Sequence, residues 1–207
     1  MKSPQPKKQA AQSTKQAKPT SQQAPEQVSA KERATLLKAL QVTQAQGPIV
    51  EMGCFQGDTS VLLAKFGRPL YLYDSFAGLP PKTTEDTSSA GQNFRAGELY
   101  ASKKQLLERF HKAHLPRPFV KKAWFADLTP QDLPDQIAFA FLDGDFYDSI
   151  ATSLALVTPK IAPRGVIVVH DYQNIELPGV AKAVNQFLAQ NPNWHLQVRA
   201  DLAILQK

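Results

Sequence analysis

From about Ser29 onward, strand-like and helix-like hydrophobic patterns alternate along the chain. The first, VSAKERATLLKALQVTQAQ, puts Leu36, Leu37, Leu40 and Val42 on one apolar side of a predicted helix. Ser29 can cap that helix, and Gly47-Pro48 ends it. PIVEMGC then reads as a buried strand and DTSVLLAKF as a helix starting near Asp58 or Thr59. The pattern continues with PLYLYDSF (strand), ELYASKKQLLERFHKAH (helix) and FVKKAWF (strand). QIAFAFLDG is a buried strand, SIATSLALVTPKIA an amphipathic helix, GVIVVHDY a β-branched strand and GVAKAVNQFLAQN a helix. WHLQVRA and LAILQ close the chain as two strands with no helix between them.

Strands separated by helices predict an α/β fold with a doubly wound, mostly parallel sheet. The last two strands lack a crossover helix, so one must run antiparallel to a neighbour. Ligands in such sheets bind beyond the carboxyl ends of the strands, where the strand order reverses. The polar residues of interest fall at those ends: Glu51 to Gly57, Asp74, Asp127, Asp143 with Asp145, and His170 with Asp171.

Two segments break the pattern. GLPPKTTEDTSSAGQNFRAG is a long polar loop, and the stretch from Ser75 to Gly97 is expected to close over a substrate as a lid. Residues 1–28 are rich in Gln, Lys and Pro, have almost nothing to bury, and read as a disordered basic tail ahead of one folded domain, 29–207. The net charge of +6 belongs largely to that tail, since Met1 to Ala30 carry five lysines against one glutamate.

The folded part shows no basic face with interleaved aromatics, so no specific nucleic-acid partner is expected. No apolar run of 18 residues and no secretory leader is visible, which argues against a membrane partner and for a cytoplasmic protein. Cys54 is the single cysteine, so an intrachain disulfide is excluded. Homo-oligomerisation is left open, with the first helix as a surface that can pack on a second subunit.

Chemistry enters at EMGCFQGDTS. Gly53 and Gly57 sit between a strand and a helix, where glycines allow a tight turn and close approach of a ligand to backbone N–H groups. The spacing is neither the dinucleotide fingerprint nor a P-loop, and by itself it is better explained by a plain strand-to-helix turn. Asp74, about twenty residues on, is placed to bind ribose hydroxyls; capping its own loop is the alternative. Asp143, His170 and Asp171 end two consecutive predicted strands. If those strands are adjacent, the three side chains can share a divalent cation such as Mg²⁺; solvated strand-end acids are the alternative. Asp145 and Asp148 read as organisers of the turn and the next helix start. His111, His114 and His195 read as structural, and Cys54 has no base beside it to make it a nucleophile. Trp124 and Phe125 either flank a flat base or pack in the core.

Four motifs in order, IVEMGCFQGDTSVLLAK, LYDSFAGLP, FLDGDFYDS and GVIVVHDY with PGVAKAVNQF, resemble the macrocin O-methyltransferase (TylF/MycF-type) family of class I S-adenosylmethionine-dependent methyltransferases. The resemblance runs from about Ile49 to Phe187. It implies a Rossmann-like, seven-stranded sheet with a C-terminal antiparallel hairpin and helices on both faces. It implies that Glu51, Gly53, Cys54, Phe55, Gln56 and Gly57 line the methionine part of S-adenosyl-L-methionine, and that Asp74 with Ser75 meets the ribose. Trp124, Phe125 and Asp127 would flank the adenine, and Asp143 would be catalytic while touching cofactor and metal. The family's usual acidic pair falls on His170 and Asp171, and histidine there either shifts the expected metal toward a transition ion or lowers its affinity. The implied reaction is O-methylation of a sugar-containing or phenolic small-molecule acceptor. Two other readings compete: a metal-dependent nucleotide-sugar glycosyltransferase using Asp143-Gly-Asp145 as its D-x-D, and a non-catalytic protein that keeps the fold.

Overall fold

Six consecutive buried residues, IAFAFL, form β4 (Ile137–Leu142) and sit at the centre of the sheet. Such a run must be covered on both faces, and the helices do this. In chain order the elements are α1 (Ala30–Val42), β1 (Ile49–Met52), α2 (Asp58–Ala64), β2 (Leu70–Asp74), α3 (Lys103–Lys112), β3 (Phe119–Lys122), β4, α4 (Tyr147–Val157), β5 (Ile161–Val169), α5 (Pro178–Gln190), β6 (His195–Arg199) and β7 (Leu202–Gln206). They come from a computed structural model that describes residues 27–90 and 94–207.

The seven strands pair in the order β3-β2-β1-β4-β5-β7-β6. β1 is parallel to both β2 and β4, and β4 is parallel to β5. β7 runs antiparallel to β5 and β6, as the missing crossover helix requires. The strand order reverses between β1 and β4, which makes their carboxyl ends the ligand-binding crevice of this topology.

Side chains of β4 alternate between two cores, as the period of two in a strand dictates. Ala140 and Leu142 join Ile150, Leu154, Val180 and Val184 of α4 and α5. Phe139 and Phe141 join Leu36, Leu40, Leu63 and Phe110 of α1, α2 and α3.

Some boundaries differ from the sequence expectation, each for a local reason. α1 stops at Val42, which is 58% exposed rather than part of the apolar face, because Thr43 turns extended and its hydroxyl bonds back to Ala39 O. α3 starts at Lys103, where Ser102 and Gln105 form a capping box, and Leu99 ahead of it has φ 55°. β3 ends at Lys122, and Phe125–Asp127 form a 3-10 turn. The expected basic tail lies, apart from Gln27 and Val28, outside the described residues; Val28 is already buried against the domain.

The predicted lid is tied down at two points. Near its base Leu79 N donates to Glu98 O and Gly97 N donates to Leu79 O. Midway, the buried Asp86 accepts from Tyr147 N at the start of α4 (2.7 Å) and from Thr83 N and Oγ1. Lys182 of α5 pairs with Glu85 at 3.2 Å, and Ser88 Oγ donates to Ile175 O. The part of the polar loop from Thr83 to Ser88 is therefore a docked strap.

Candidate active site

The ladder of the sheet continues one residue past each central strand and lines up the polar ends. Gly53 N donates to Tyr73 O, Asp143 N to Met52 O, and His170 N to Leu142 O, all at 2.8–2.9 Å. Because Leu142 pairs with Val169, the next residues, Asp143 and His170, stand side by side. The turn after β1, Asp143 and His170 therefore share one crevice. They line a cavity of about 500 Å³ together with Asp74, Ser75, Trp124 and Phe125.

The glycine turn is shaped by its neighbours. Gly53 has φ +91°, and a Cβ there would lie 1.8 Å from Asp143 O, so only glycine lets the two strand ends close. Gly57, φ +86°, opens α2. Cys54 N and Phe55 N both donate to Asp74 Oδ2, at 2.8 and 3.0 Å, and Phe76 N donates to Oδ1. Asp74 thus ties the ends of β1 and β2 together, and a carboxylate's roughly four acceptor positions leave one for a ligand. Glu51, 1% exposed, lines the cavity with Oε2 unpartnered. Burial, then the Asp143 and Asp74 charges, raises its carboxyl well above the usual range. Burial likewise raises the Cys54 thiol, which keeps it protonated and removes it as a nucleophile.

The third part is a charge cluster around His170, which is 4% exposed. Its Nδ1 lies 3.0 Å from Asp143 Oδ1 and 2.9 Å from Asp171 Oδ2. Its Nε2 lies 3.3 Å from Oε1 of Glu32, a buried residue in the first turn of α1. Burial disfavours the charged ring, but the Asp143 carboxylate and hydrogen bonds to Asp143, Asp171 and Glu32 carry its pKa well above the ordinary histidine range. The Glu32 carboxyl is lowered to about 2, first by His170 and, against burial, by Ser29.

Asp143, His170 and Asp171 each offer one ligand atom, all within 4.8 Å of one another. An octahedral ion with bonds near 2.1 Å sets neighbouring ligand atoms about 3 Å apart. The Nδ1-to-oxygen spacings of 3.0 and 2.9 Å match that edge, so the donor set suits a divalent ion. A glycine turn that closes on backbone and an orphaned buried carboxylate oxygen on Glu51 suit a ligand carrying an ammonium group in the adjoining half of the cavity.

The remaining sequence candidates separate clearly. Gln56, Asp145 and the half-buried Phe125 line the cavity with the residues above. Asp145 takes φ 60°, and burial, then the Asp143 and Asp171 charges, raises its carboxyl. Asp127 is exposed, closes the 3-10 turn by donating from its N to Trp124 O, and lies off the cavity wall. Asp148 sits exposed in the first turn of α4. His111, His114 and His195 are all exposed; the buried packing residue beside the last is Trp194. Glu32, Arg33 and Arg109 were not among the sequence candidates, yet the two arginines line the cavity and Glu32 backs it.

Residues 6–200 match the family model described as macrocin-O-methyltransferase (TylF). The chain is 27% identical over 139 residues to the 8-demethyl-8-(2,3-dimethoxy-alpha-L-rhamnosyl)-tetracenomycin-C 4'-O-methyltransferase of Streptomyces olivaceus, covering 61% of this chain and 53% of that protein. It is also 27% identical over 157 residues to the demethyldecarbamoylnovobiocin O-methyltransferase of Streptomyces niveus, covering 70% and 59%. The chain thus spans a little over half the length of these relatives. Among solved structures, the O-methyltransferase NovP superposes with a TM-score of 0.70 at 23% identity, covering 84% of this chain and 77% of that one. A Bacillus cereus O-methyltransferase in complex with SAH gives a TM-score of 0.63 at 15% identity, covering 89% and 84%. These likenesses show that the fold is shared.

Proposed function

Because the chain belongs to the macrocin O-methyltransferase (TylF) family, we propose that it transfers a methyl group from S-adenosylmethionine to a hydroxyl of a small-molecule natural product. The observation that carries this is the meeting, in one cavity, of the Gly53–Gly57 turn and the Asp143, His170 and Asp171 cluster. By their names, the relatives above methylate a rhamnosyl-tetracenomycin and demethyldecarbamoylnovobiocin, and we put forward a sugar-bearing or phenolic acceptor as the substrate class.

S-adenosylmethionine would supply an electrophilic methyl group on sulfur. Glu51 and the turn from Gly53 to Gly57 would hold its amino-acid end, with the free Glu51 Oε2 facing the ammonium. Asp74 would offer its remaining acceptor position to the ribose, beside Ser75, and Trp124 with Phe125 would sandwich the base. Asp127 would contribute nothing to that contact from its position off the cavity wall.

Asp143 is the group placed to take the proton from the acceptor hydroxyl, because it ends β4 inside the cavity and is held by His170. A divalent cation held by Asp143, His170 and Asp171 would lower the pKa of that hydroxyl. A bound acceptor, held beside the strap and against Leu79, Phe94 and Leu99, would be oriented for in-line transfer with less water around it. A D-x-D glycosyltransferase reading loses ground here, since Asp145 lies in the turn with a raised carboxyl pKa and outside the three-residue cluster.

The test is calorimetric titration with S-adenosylhomocysteine and UDP-sugars, followed by methyl-transfer assays on rhamnosyl and phenolic acceptors with EDTA, Mg²⁺ or Mn²⁺. Binding of S-adenosylhomocysteine alone, and activity lost in EDTA and restored by a cation, is the expected result. Response to UDP-sugars with none to S-adenosylhomocysteine would overturn the reading.

A further inference from the structure

His170 contacts carboxylates on both of its ring nitrogens, and the one on the far side comes from a helix that contributes nothing else to the cluster. Nδ1 faces Asp143 and Asp171, while Nε2 is buried, makes no hydrogen bond of good geometry, and lies at an ion-pair distance of 3.3 Å from Glu32 Oε1. Glu32 is buried, and its second oxygen, Oε2, accepts from Ser29 N at 2.7 Å. The reciprocal bond, Glu32 N to Ser29 Oγ, completes a capping box at the start of α1. One oxygen therefore fixes the side chain to its own helix, and the other is aimed at the imidazole.

We propose that Glu32 is a positioning residue that holds the Nε2 side of His170 and turns Nδ1 toward Asp143 and Asp171 as a cation ligand. The proposal rests on the divalent-cation reading given above. To ligate a cation the charged ring must give up its Nδ1 proton to solvent and bind through the freed lone pair, while Nε2 keeps its proton. A carboxylate facing that second nitrogen selects this tautomer and restrains the ring. The alternative role for Glu32, a helix cap alone, uses only Oε2 and leaves Oε1 unexplained. A capping glutamate in a first turn is ordinarily exposed, whereas this one is buried against the imidazole. The contact also adds a carboxylate to a cluster in which histidine brings no negative charge of its own.

The experiment measures Mn²⁺ binding to the full chain by electron paramagnetic resonance of the free ion, with melting temperature and S-adenosylhomocysteine affinity read in parallel. Glu32→Gln keeps a residue able to close the capping box but removes the charge. It should weaken Mn²⁺ by about 10- to 100-fold and leave S-adenosylhomocysteine affinity unchanged. Ser29→Ala removes the cap while leaving Glu32 in place; it should lower the melting temperature and leave Mn²⁺ affinity at the wild-type value. Wild-type affinity in Glu32→Gln overturns the positioning role alone. No Mn²⁺ binding by the wild-type chain overturns the cation site and the positioning role together.

Discussion

Gly53 and Asp143 pack so closely that a Cβ on the glycine would lie 1.8 Å from the Asp143 carbonyl oxygen. This contact joins the half of the cavity proposed for the cofactor to the half proposed for the reaction. Gly53→Ala must push β1 and β4 apart where they hold Asp143, and must also strain a φ of +91°. We expect a stability loss of about 3 kcal/mol or more together with loss of turnover. Gly57→Ala meets only the Leu106 side chain, at 3.2 Å, and should cost about 1–2 kcal/mol, mostly from its positive φ. Urea denaturation of the two variants makes the comparison, and equal losses would contradict it.

Asp143→Asn keeps the shape of the residue that ends β4 and removes its capacity to accept a proton. Methyl transfer should fall by at least about 100-fold, while calorimetry should show S-adenosylhomocysteine affinity little changed. Wild-type turnover in this variant would remove Asp143 from the chemistry.

Asp86→Ala should release the strap. The buried carboxylate accepts from Tyr147 N and from Thr83 N and Oγ1, and charged hydrogen bonds of this kind contribute about 1.5–3 kcal/mol each. Limited proteolysis should cut the variant faster between Leu79 and Glu98, and the acceptor KM should rise. Unaltered cleavage would mean that the Lys182–Glu85 and Ser88–Ile175 contacts hold the strap unaided.

The acid side of the stability profile carries a sign that can be checked. Glu32 has its folded pKa lowered from 4.5 to about 2 by His170. Its stabilising contribution is therefore complete above about pH 4.5 and is lost as the pH falls toward 2. In EDTA, the stability difference between wild type and Glu32→Gln should shrink steadily over that window. A difference independent of pH there would show that the carboxylate charge contributes nothing.

The sheet was legible because its signals are local. Apolar runs such as IAFAFL, the helices between them and the missing crossover before LAILQ suffice for the strand types and the antiparallel end. Asp143, His170 and Asp171 were legible for a related reason: adjacent strand ends in one register bring them together. Glu32 was not. In AKERA it is one charge among several on a helix, and only the packing of α1 against the sheet turns it inward. Asp86 sits in a polar loop, where nothing in the sequence marks it as buried. Asp127, which the family resemblance put beside the adenine, closes a 3-10 turn and is not among the residues that line the cavity. Val42 fitted the helical period but fell where Thr43 had already turned the chain.

The same carboxylate that restrains His170 also holds the first amide of α1, at Ser29. The chain's entry into the domain and its reaction centre are thus two ends of one short lever.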